Sequence, residues 1–279
     1  MFDVPEAPEA LLDSLELFLR RWLGDPMPWY GIAEKKLAEV RLPRPLRRLY
    51  AIAGEWPGDN PFRSLFAYQD RLVPFELLAV EEGKLVFLWE NQGVWSCGTE
   101  AEGEDPPVWV RFDEEPWRPL GTTLAPFLVT ACLHEILLGA RFTGAAADLI
   151  DRMRAAGKQV SPLWLDGPYV GFGEEPLRRL SFHLVDGQAL LMDDWCGTNS
   201  EAFPDEFPDV FRTSEPRSQN IRDFILTSAE APSWIRRSMA ERAAEFHEAR
   251  AARHVAEADE HRRSAEDFRR LAKEVESGG

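Results

Sequence analysis

Two turns between β-rich runs constrain the fold of this chain more than any other feature of its sequence. Glu81-Glu82-Gly83 joins two such runs in the first half, and Asp186-Gly187 joins two more in the second half. The four runs cover residues 77–80, 85–89, 179–185 and 189–193. Short turns that contain glycine connect neighbouring antiparallel strands, because glycine tolerates the positive φ that a tight hairpin turn requires. The sequence therefore predicts hairpins in both halves of the chain.

Apolar residues at helical spacing predict the helices around these strands. The spacing over residues 10–23 predicts a first helix, which Gly24-Asp25-Pro26 ends. Pro45 suits the first turn of another helix, since the N–H that it lacks is not needed there, and Gly54 suits the position after its end. Further helices are predicted over residues 32–40, 122–139 and 145–156, and further strands over 107–112 and 163–170. Thr122-Thr123 is the pair expected to cap the helix that follows it.

The last part of the chain has a different composition. Residues 233–279 are rich in Ala, Glu and Arg and contain no proline, and their only glycines are the final two residues. This predicts one long charged helix, about 60 Å in length at about 1.5 Å per residue. His247, His254 and His261 recur every seven residues there. Histidines seven residues apart on one helix are separated by about 10.5 Å, which is too far for neighbouring histidines to bind the same metal ion.

The net charge of −16 belongs entirely to the part of the chain before this helix. Residues 233–279 carry ten basic and ten acidic side chains, which leaves 22 basic and 38 acidic side chains in residues 1–232. An acidic surface repels nucleic acids and anionic membranes, and it attracts basic proteins at low salt. We therefore expect no nucleic acid or membrane partner. The charge either steers a basic partner or serves solubility alone.

Cysteine usage and the chain start indicate a reducing compartment. Cys97, Cys132 and Cys196 are odd in number and form no CxxC, which argues against a disulfide framework and a zinc ribbon. The first ten residues lack the basic and apolar regions of a secretory signal. The apolar stretch 124–138 is interrupted by His134-Glu135 and is too short to span a bilayer. We expect a cytoplasmic protein with three thiols.

The motifs of common enzyme classes are missing. His134-Glu135 begins like HExxH, but position 138 is Leu, and neither GxxxxGK[ST] nor GxSxG occurs. We therefore expect no catalysis, no cofactor and no metal site. Tryptophans beside the carboxylates of Glu90, Asp105, Asp193 and Asp194 leave a carbohydrate-active enzyme as an alternative, because sugar cleavage uses aromatic stacking and paired carboxylates.

The stretch FLWENQGVWSCG, residues 87–98, places polar residues between two indoles. As a recognition loop, it would use Trp89 and Trp95 as anchors and Glu90-Asn91-Gln92 as polar contacts, since tryptophans are frequent in binding hot spots. As part of the fold, it would be a turn in which Asn91 and Gln92 bond backbone groups and Gly93 adopts a positive φ. We expect a turn that is partly buried and bonded to the backbone, with one edge at the binding surface.

Three segments in order resemble the SUKH superfamily over residues 10–140. They are LPRPLRRLYAIAGEWPG at 42–58, VFLWENQGVWSCG with EDPPVWV at 86–110, and TTLAPFLVTACLHEILLGA at 122–140. The resemblance implies an α+β domain in which helices pack on a mainly antiparallel sheet. It also implies binding rather than catalysis, because bacterial members bind and neutralise polymorphic toxins, which are often nucleases. The motif residues carried over are Trp89, Glu90, Asn91, Gln92, Gly93, Trp95 and Asp105.

Together these features predict three parts. A SUKH-like domain covers residues 1–140, a smaller α+β extension covers 141–232 and is either separate or continuous with it, and a long charged helix covers 233–279. The expected function is that of a non-catalytic immunity protein whose partner is a basic toxin domain. The alternative is a scaffold or adaptor that recruits its partner through the last helix. The oligomeric state is left open.

Overall fold

The fold is α+β and contains two mainly antiparallel sheets. The computed structural model describes residues 7–24, 31–53, 65–66, 68–90, 92–113, 115–171 and 176–213. The helix predicted over 233–279 and the helix-ending Gly54 lie outside these residues. None of the described helices is long and apolar enough to cross a membrane.

The first of the two sheets formed by the described residues has six strands. Its strands are β1 (Asp70–Leu72), β2 (Ala79–Glu81), β3 (Lys84–Glu90), β4 (Trp95–Thr99), β5 (Pro107–Phe112) and β6 (Arg118–Thr123). The order is β1-β3-β4-β5-β6, and β2 pairs with the other end of β3. Every pair is antiparallel, and the hairpin predicted around Glu81-Glu82-Gly83 is confirmed as β2–β3.

The second sheet also has six described strands. They are β7 (Phe142–Ala145), β8 (Val160–Val170), β9 (Leu177–Val185), β10 (Ala189–Met192), β11 (Trp195–Thr198) and β12 (Phe211–Thr213). The order is β12-β7-β11-β10-β9-β8, again with antiparallel pairs. The turn predicted at Asp186-Gly187 joins β9 to β10 and is confirmed, with φ of 49° at Asp186 and 70° at Gly187.

One helix connects the two sheets through a shared core. The described helices are α1 (Pro8–Leu23), α2 (Glu34–Leu37), α3 (Arg44–Ala53), α4 (Leu124–Leu138), α5 (Leu149–Ala155) and α6 (Ala202–Glu206). Helix α4 is buried nearly all round, and it contacts α1, α3 and strands of both sheets. A helix that is apolar on every side is stable only when it is enclosed in this way. The core cluster around α4 includes Phe87 of the first sheet and Phe182 of the second, so the core is continuous across residue 140.

The second sheet is covered on both faces. Strand β10 contributes Leu190 to the core around α4 and Leu191 to a smaller cluster with α5 and α6. Successive side chains of a strand point to opposite faces, so this short strand serves two cores at once. Its four residues are all buried for this reason.

The structure differs from the sequence prediction where an element depends on distant partners. Residues 118–123 form β6, so Thr122-Thr123 ends a strand, and Thr123 makes no side-chain cap to α4. The predicted helix 145–156 is shorter, since β7 runs to Ala145 and α5 begins at Leu149. Strand β7 forms because it is paired on both sides, by β11 and β12. The weak helix predicted over 32–40 is reduced to the four residues of α2.

The hairpins β3–β4 and β10–β11 share a sequence pattern, because each returning strand begins with Trp and ends in Cys-Gly-Thr. In both hairpins, the glycine of this pattern allows another part of the chain to approach the strand closely. A Cβ on Gly197 would lie 2.3 Å from the Leu137 carbonyl oxygen, and one on Gly98 would lie 2.9 Å from the Trp117 ring. The cysteines Cys97, Cys132 and Cys196 are all buried and free, as their odd number predicted.

Candidate functional site

The turn after β3 is closed by the carboxylate of Glu90. Its Oε2 accepts the backbone N–H of Gln92 at 2.7 Å and that of Val94 at 3.2 Å. The N–H of Gly93 donates to the Glu90 carbonyl oxygen at 2.9 Å, and Gly93 has the expected positive φ of 74°. The sequence interpretation assigned this closing role to the carboxamides. Instead a carboxylate has it, Gln92 is exposed, and Asn91 lies outside the described residues.

The two tryptophans beside this turn differ in exposure. Trp95 is 3% exposed and packs edge-on against Tyr169, with ring centroids 6.3 Å apart. Trp89 is only partly buried. Because Trp95 is a core residue, it has almost no surface to offer a partner. The turn is therefore anchored to the core through Glu90 and Trp95, and Gln92 and Val94 face solvent.

Asp105, the motif residue in the β4–β5 connection, supports helix α4. Its Oδ1 accepts the backbone N–H of Ala125 at 2.7 Å. The first N–H groups of a helix have no partner within the helix, and a carboxylate placed there also interacts favourably with the helix dipole. Asp105 thus provides the cap that the sequence had assigned to Thr122-Thr123.

A second group of polar residues is buried where α4 meets β1. Glu135 of α4 is fully buried, and its carboxylate accepts backbone N–H groups of Tyr68, Gln69 and Asp70 at 2.7 to 3.2 Å. These bonds hold the start of β1 against the helix. Burial raises the pKa of Glu135 to about 7, although the three N–H groups oppose the rise.

Asp70 lies beside Glu135 and has no comparable bonds. Its side chain is 1% exposed, and neither carboxyl oxygen accepts a hydrogen bond from any described residue. Burial, together with the neighbouring Glu135 and Glu90, raises the pKa of Asp70 well above its usual range. Most buried polar atoms in proteins have a partner, so this carboxyl group calls for an explanation.

His134 completes the group. Its Nδ1 lies 3.8 Å from Asp70 Oδ2, 3.8 Å from Glu135 Oε1 and 3.3 Å from the hydroxyl of Tyr169. Burial lowers the pKa of His134 to about 4, so the imidazole is neutral near pH 7. We call Asp70, His134 and Glu135 the buried triad. The donor atoms of these three residues lie within 4.8 Å of one another.

A surface groove lies beside strand β2 of the first sheet. Its volume is about 580 Å³, and its apolar lining includes Leu78, Val80 and Leu85. The exposed carboxylates Glu100 and Glu102 also line it. Arg41 forms an exposed ion pair with Glu102, at 2.9 Å. We call this region the β2 groove.

No protein-family model, curated protein or solved structure matches the chain.

Sequence reasoning missed the buried triad and the β2 groove. One signal for the triad was present, since His134-Glu135 interrupts an otherwise apolar helix. Nothing in the sequence connected this pair to Asp70, which lies 65 residues before Glu135. The groove had no signal either, because it is lined by three separate chain segments.

Proposed function

We propose that this chain is a non-catalytic protein-binding domain of SUKH type that acts as an immunity protein, and that the β2 groove receives a basic segment of the toxin. The observation that carries the proposal is the combination of exposed apolar and acidic side chains in this groove. The class of partner comes from the resemblance of residues 10–140 to the superfamily.

The apolar part of the groove provides contact area. Val80 is 59% exposed, and it lies on β2, which pairs with β3 alone among the described strands. Exposed apolar side chains that share a concave surface are typical of protein-binding sites, because their burial by a partner is favourable. Leu78, which is half-buried, extends this surface, whereas Leu85 lines the groove as a buried core residue.

The acidic part provides selectivity for a basic partner. Glu100 makes no ion pair with any described residue, and Glu102 pairs only with the exposed Arg41. Exposed ion pairs contribute little to stability, so a partner's cation can replace Arg41 at small cost. The excess of acidic side chains in residues 1–232 has the same sign and would speed the encounter with a basic protein.

The internal bonds of Glu90 and Asp105 also favour this surface over the ENQG turn. Both carboxylates accept backbone N–H groups of their own chain, so they are occupied in holding a turn and a helix end. The acidic loop between β4 and β5, by contrast, exposes Glu100, Glu102 and Glu104.

The experiment begins with the gene next to the one encoding this chain, where a secreted protein with a C-terminal toxin domain is expected. The purified toxin domain is titrated with the wild type and with Val80→Asp and Glu100→Lys variants. Each variant should weaken binding at least about tenfold, which corresponds to about 1.4 kcal/mol. Co-expression of the wild-type chain should also relieve growth arrest by the toxin, and co-expression of either groove variant should not.

Two matched controls make the test specific to the groove. Leu165→Asp changes an apolar residue of β8 that is 49% exposed, and Asp194→Lys reverses an exposed charge in the β10–β11 turn. Both controls should bind like the wild type. If they weaken binding as much as the groove variants, the β2 groove is the wrong surface. If the wild type binds no such toxin domain, the function itself is wrong.

A further inference from the structure

We propose that the buried triad, Asp70, His134 and Glu135, binds a first-row divalent metal cation. This proposal replaces the expectation of no metal site, which rested on motif spacing along the sequence. It does not depend on the function proposed for the β2 groove. Strand β1 supplies one donor and helix α4 supplies two, so only the folded chain brings the three together.

The distances between the donor atoms suit a small cation. Zinc binds histidine nitrogen and carboxylate oxygen at about 2.0 to 2.2 Å, which places neighbouring donors of a tetrahedral site about 3.4 Å apart. His134 Nδ1 lies 3.8 Å from an oxygen of Asp70 and 3.8 Å from one of Glu135. A contraction of about 0.4 Å would bring both pairs to the spacing of a zinc site.

The unpartnered Asp70 is the observation that points to a ligand. Its carboxyl group is almost fully buried, and Oδ2 faces the imidazole while neither oxygen has a hydrogen-bond partner among the described residues. A buried carboxylate is unfavourable unless it is paired, hydrogen-bonded or bound to a metal. A cation placed between Asp70 and His134 would satisfy this requirement.

The other two ligands are already held in position. The three backbone N–H groups fix the carboxylate of Glu135, and the ring of His134 packs against the ring of Tyr169, with centroids 4.7 Å apart. Contacts of this kind orient metal ligands in many proteins. Nδ1 is the ring nitrogen of His134 that lies 3.8 Å from an oxygen of Asp70 and 3.8 Å from one of Glu135. A cation at His134 Nδ1 would replace the 3.3 Å contact of this nitrogen with the Tyr169 hydroxyl.

The surrounding charges also favour a divalent cation. Glu90 is opposite Asp70 on β3, and Arg71 follows Asp70 in the chain. When a metal displaces the protons of these carboxyl groups, three carboxylates and one guanidinium leave two negative charges, which a divalent cation would neutralise. One imidazole with two carboxylates suits zinc, iron or cobalt better than calcium or magnesium, which prefer all-oxygen sites.

The experiment uses the full chain with Zn²⁺ and Co²⁺ as separate probes. The protein is stripped with a chelator, dialysed against an excess of the ion and then freed of unbound metal. We expect about one zinc ion per chain by elemental analysis, and a Co²⁺ absorption spectrum typical of low coordination number. At a free zinc concentration about 100-fold above the dissociation constant, the melting temperature should rise by about 5–10 °C.

Variants separate loss of a donor from loss of charge. The Asp70→Asn and His134→Gln variants should each lose the bound zinc and the zinc-dependent rise in melting temperature. Both substitutions roughly preserve side-chain size, so each variant can be tested for folding with a chelator present. Glu90→Gln removes a nearby carboxylate that is not a donor, so it should retain the zinc. A triple variant, His247→Gln, His254→Gln and His261→Gln, should also retain it.

Three results would overturn the proposal. They are substoichiometric zinc in the wild type, zinc that persists in both donor variants, and zinc that is lost in the triple variant alone. In the first case the buried triad holds a proton in place of a metal, and the pH dependence described below would report that proton.

Discussion

Replacing Asp70 by Asn should change how the stability of the metal-free protein depends on pH. Burial raises the folded-state pKa of Asp70 well above its ordinary value of 3.8, so the folded chain keeps a proton that the unfolded chain releases. A raised carboxyl pKa gives stability that is fully present below the unfolded-state pKa and is lost as pH rises toward the folded-state pKa. Asn is a neutral replacement of similar size, so it removes this loss.

The magnitude follows from proton counting. One proton bound only by the folded state lowers the free energy of unfolding by about 1.4 kcal/mol for each pH unit. As pH rises from about 4 toward the raised folded-state pKa, Asp70→Asn should therefore gain about 1.4 kcal/mol per pH unit relative to the wild type. The comparison with the wild type cancels the contributions of every other titrating group that the substitution leaves unchanged.

His134 provides a control of opposite sign. Its pKa is lowered from 6.5 to about 4, so it gives stability above pH 6.5 that is lost as pH falls toward 4. His134→Gln should thus lose relative stability as pH rises over the same range. Glu135, whose pKa is raised from 4.5 to about 7, changes in the same direction as Asp70.

The assay is urea unfolding followed by tryptophan fluorescence at several pH values, with a chelator present to keep metal out of the buried triad. The midpoint and slope of each curve give the free energy of unfolding. If the difference between Asp70→Asn and the wild type is constant with pH, Asp70 is ionised in the folded state and the reasoning from its burial is wrong.

Three further outcomes are expected. Trp95→Ala should lower the free energy of unfolding by about 3–5 kcal/mol in urea titrations, because the indole is buried. Trp195 occupies the matching position of the second hairpin but is 48% exposed, so Trp195→Ala should lower it far less. Equal losses would contradict the packing argument. Asp105→Ala should lower the free energy of unfolding by about 1 kcal/mol, because the N–H of Ala125 loses its acceptor. Thr123→Ala should lower it by less than half as much in the same measurement, because the Thr123 side chain does not cap α4. The association rate with the proposed toxin partner should fall steeply between low salt and about 0.5 M salt in stopped-flow mixing. A rate that does not change would mean that the acidic charge serves solubility alone.

The sequence by itself determined the parts of the fold that depend on neighbouring residues. The hairpins around Glu81-Glu82-Gly83 and Asp186-Gly187 followed from turn chemistry, and α1 followed from apolar spacing and the Gly24-Asp25-Pro26 stop. These signals act over a few residues, because φ preferences and side-chain periodicity are local properties of the backbone. The free state of the cysteines was likewise predictable from their number and spacing.

The elements that were missed owe their structure to partners far away in the chain. Strand β1 has only three residues, and it is fixed by pairing with β3 and by the hydrogen bond that the N–H of Asp70 donates to the carboxylate of Glu135. Thr123 does lie at the N-cap position of α4, as the sequence predicted, but the capping bond was assigned to the wrong side chain. The group that accepts the N–H of Ala125 is Asp105, 20 residues earlier in the chain.

Only the tertiary structure decided which polar residues act together. The sequence shows that Glu90, Asp70 and Glu135 are acidic. It does not show that Glu90 closes a turn, that Asp70 accepts no hydrogen bond from a described residue, or that Glu135 holds a strand to a helix. Residue type sets the charge and the hydrogen-bonding capacity of a side chain, while burial and the path of the backbone set its pKa and its partners. For this reason the buried triad became visible only when α4 and β1 were in place beside each other.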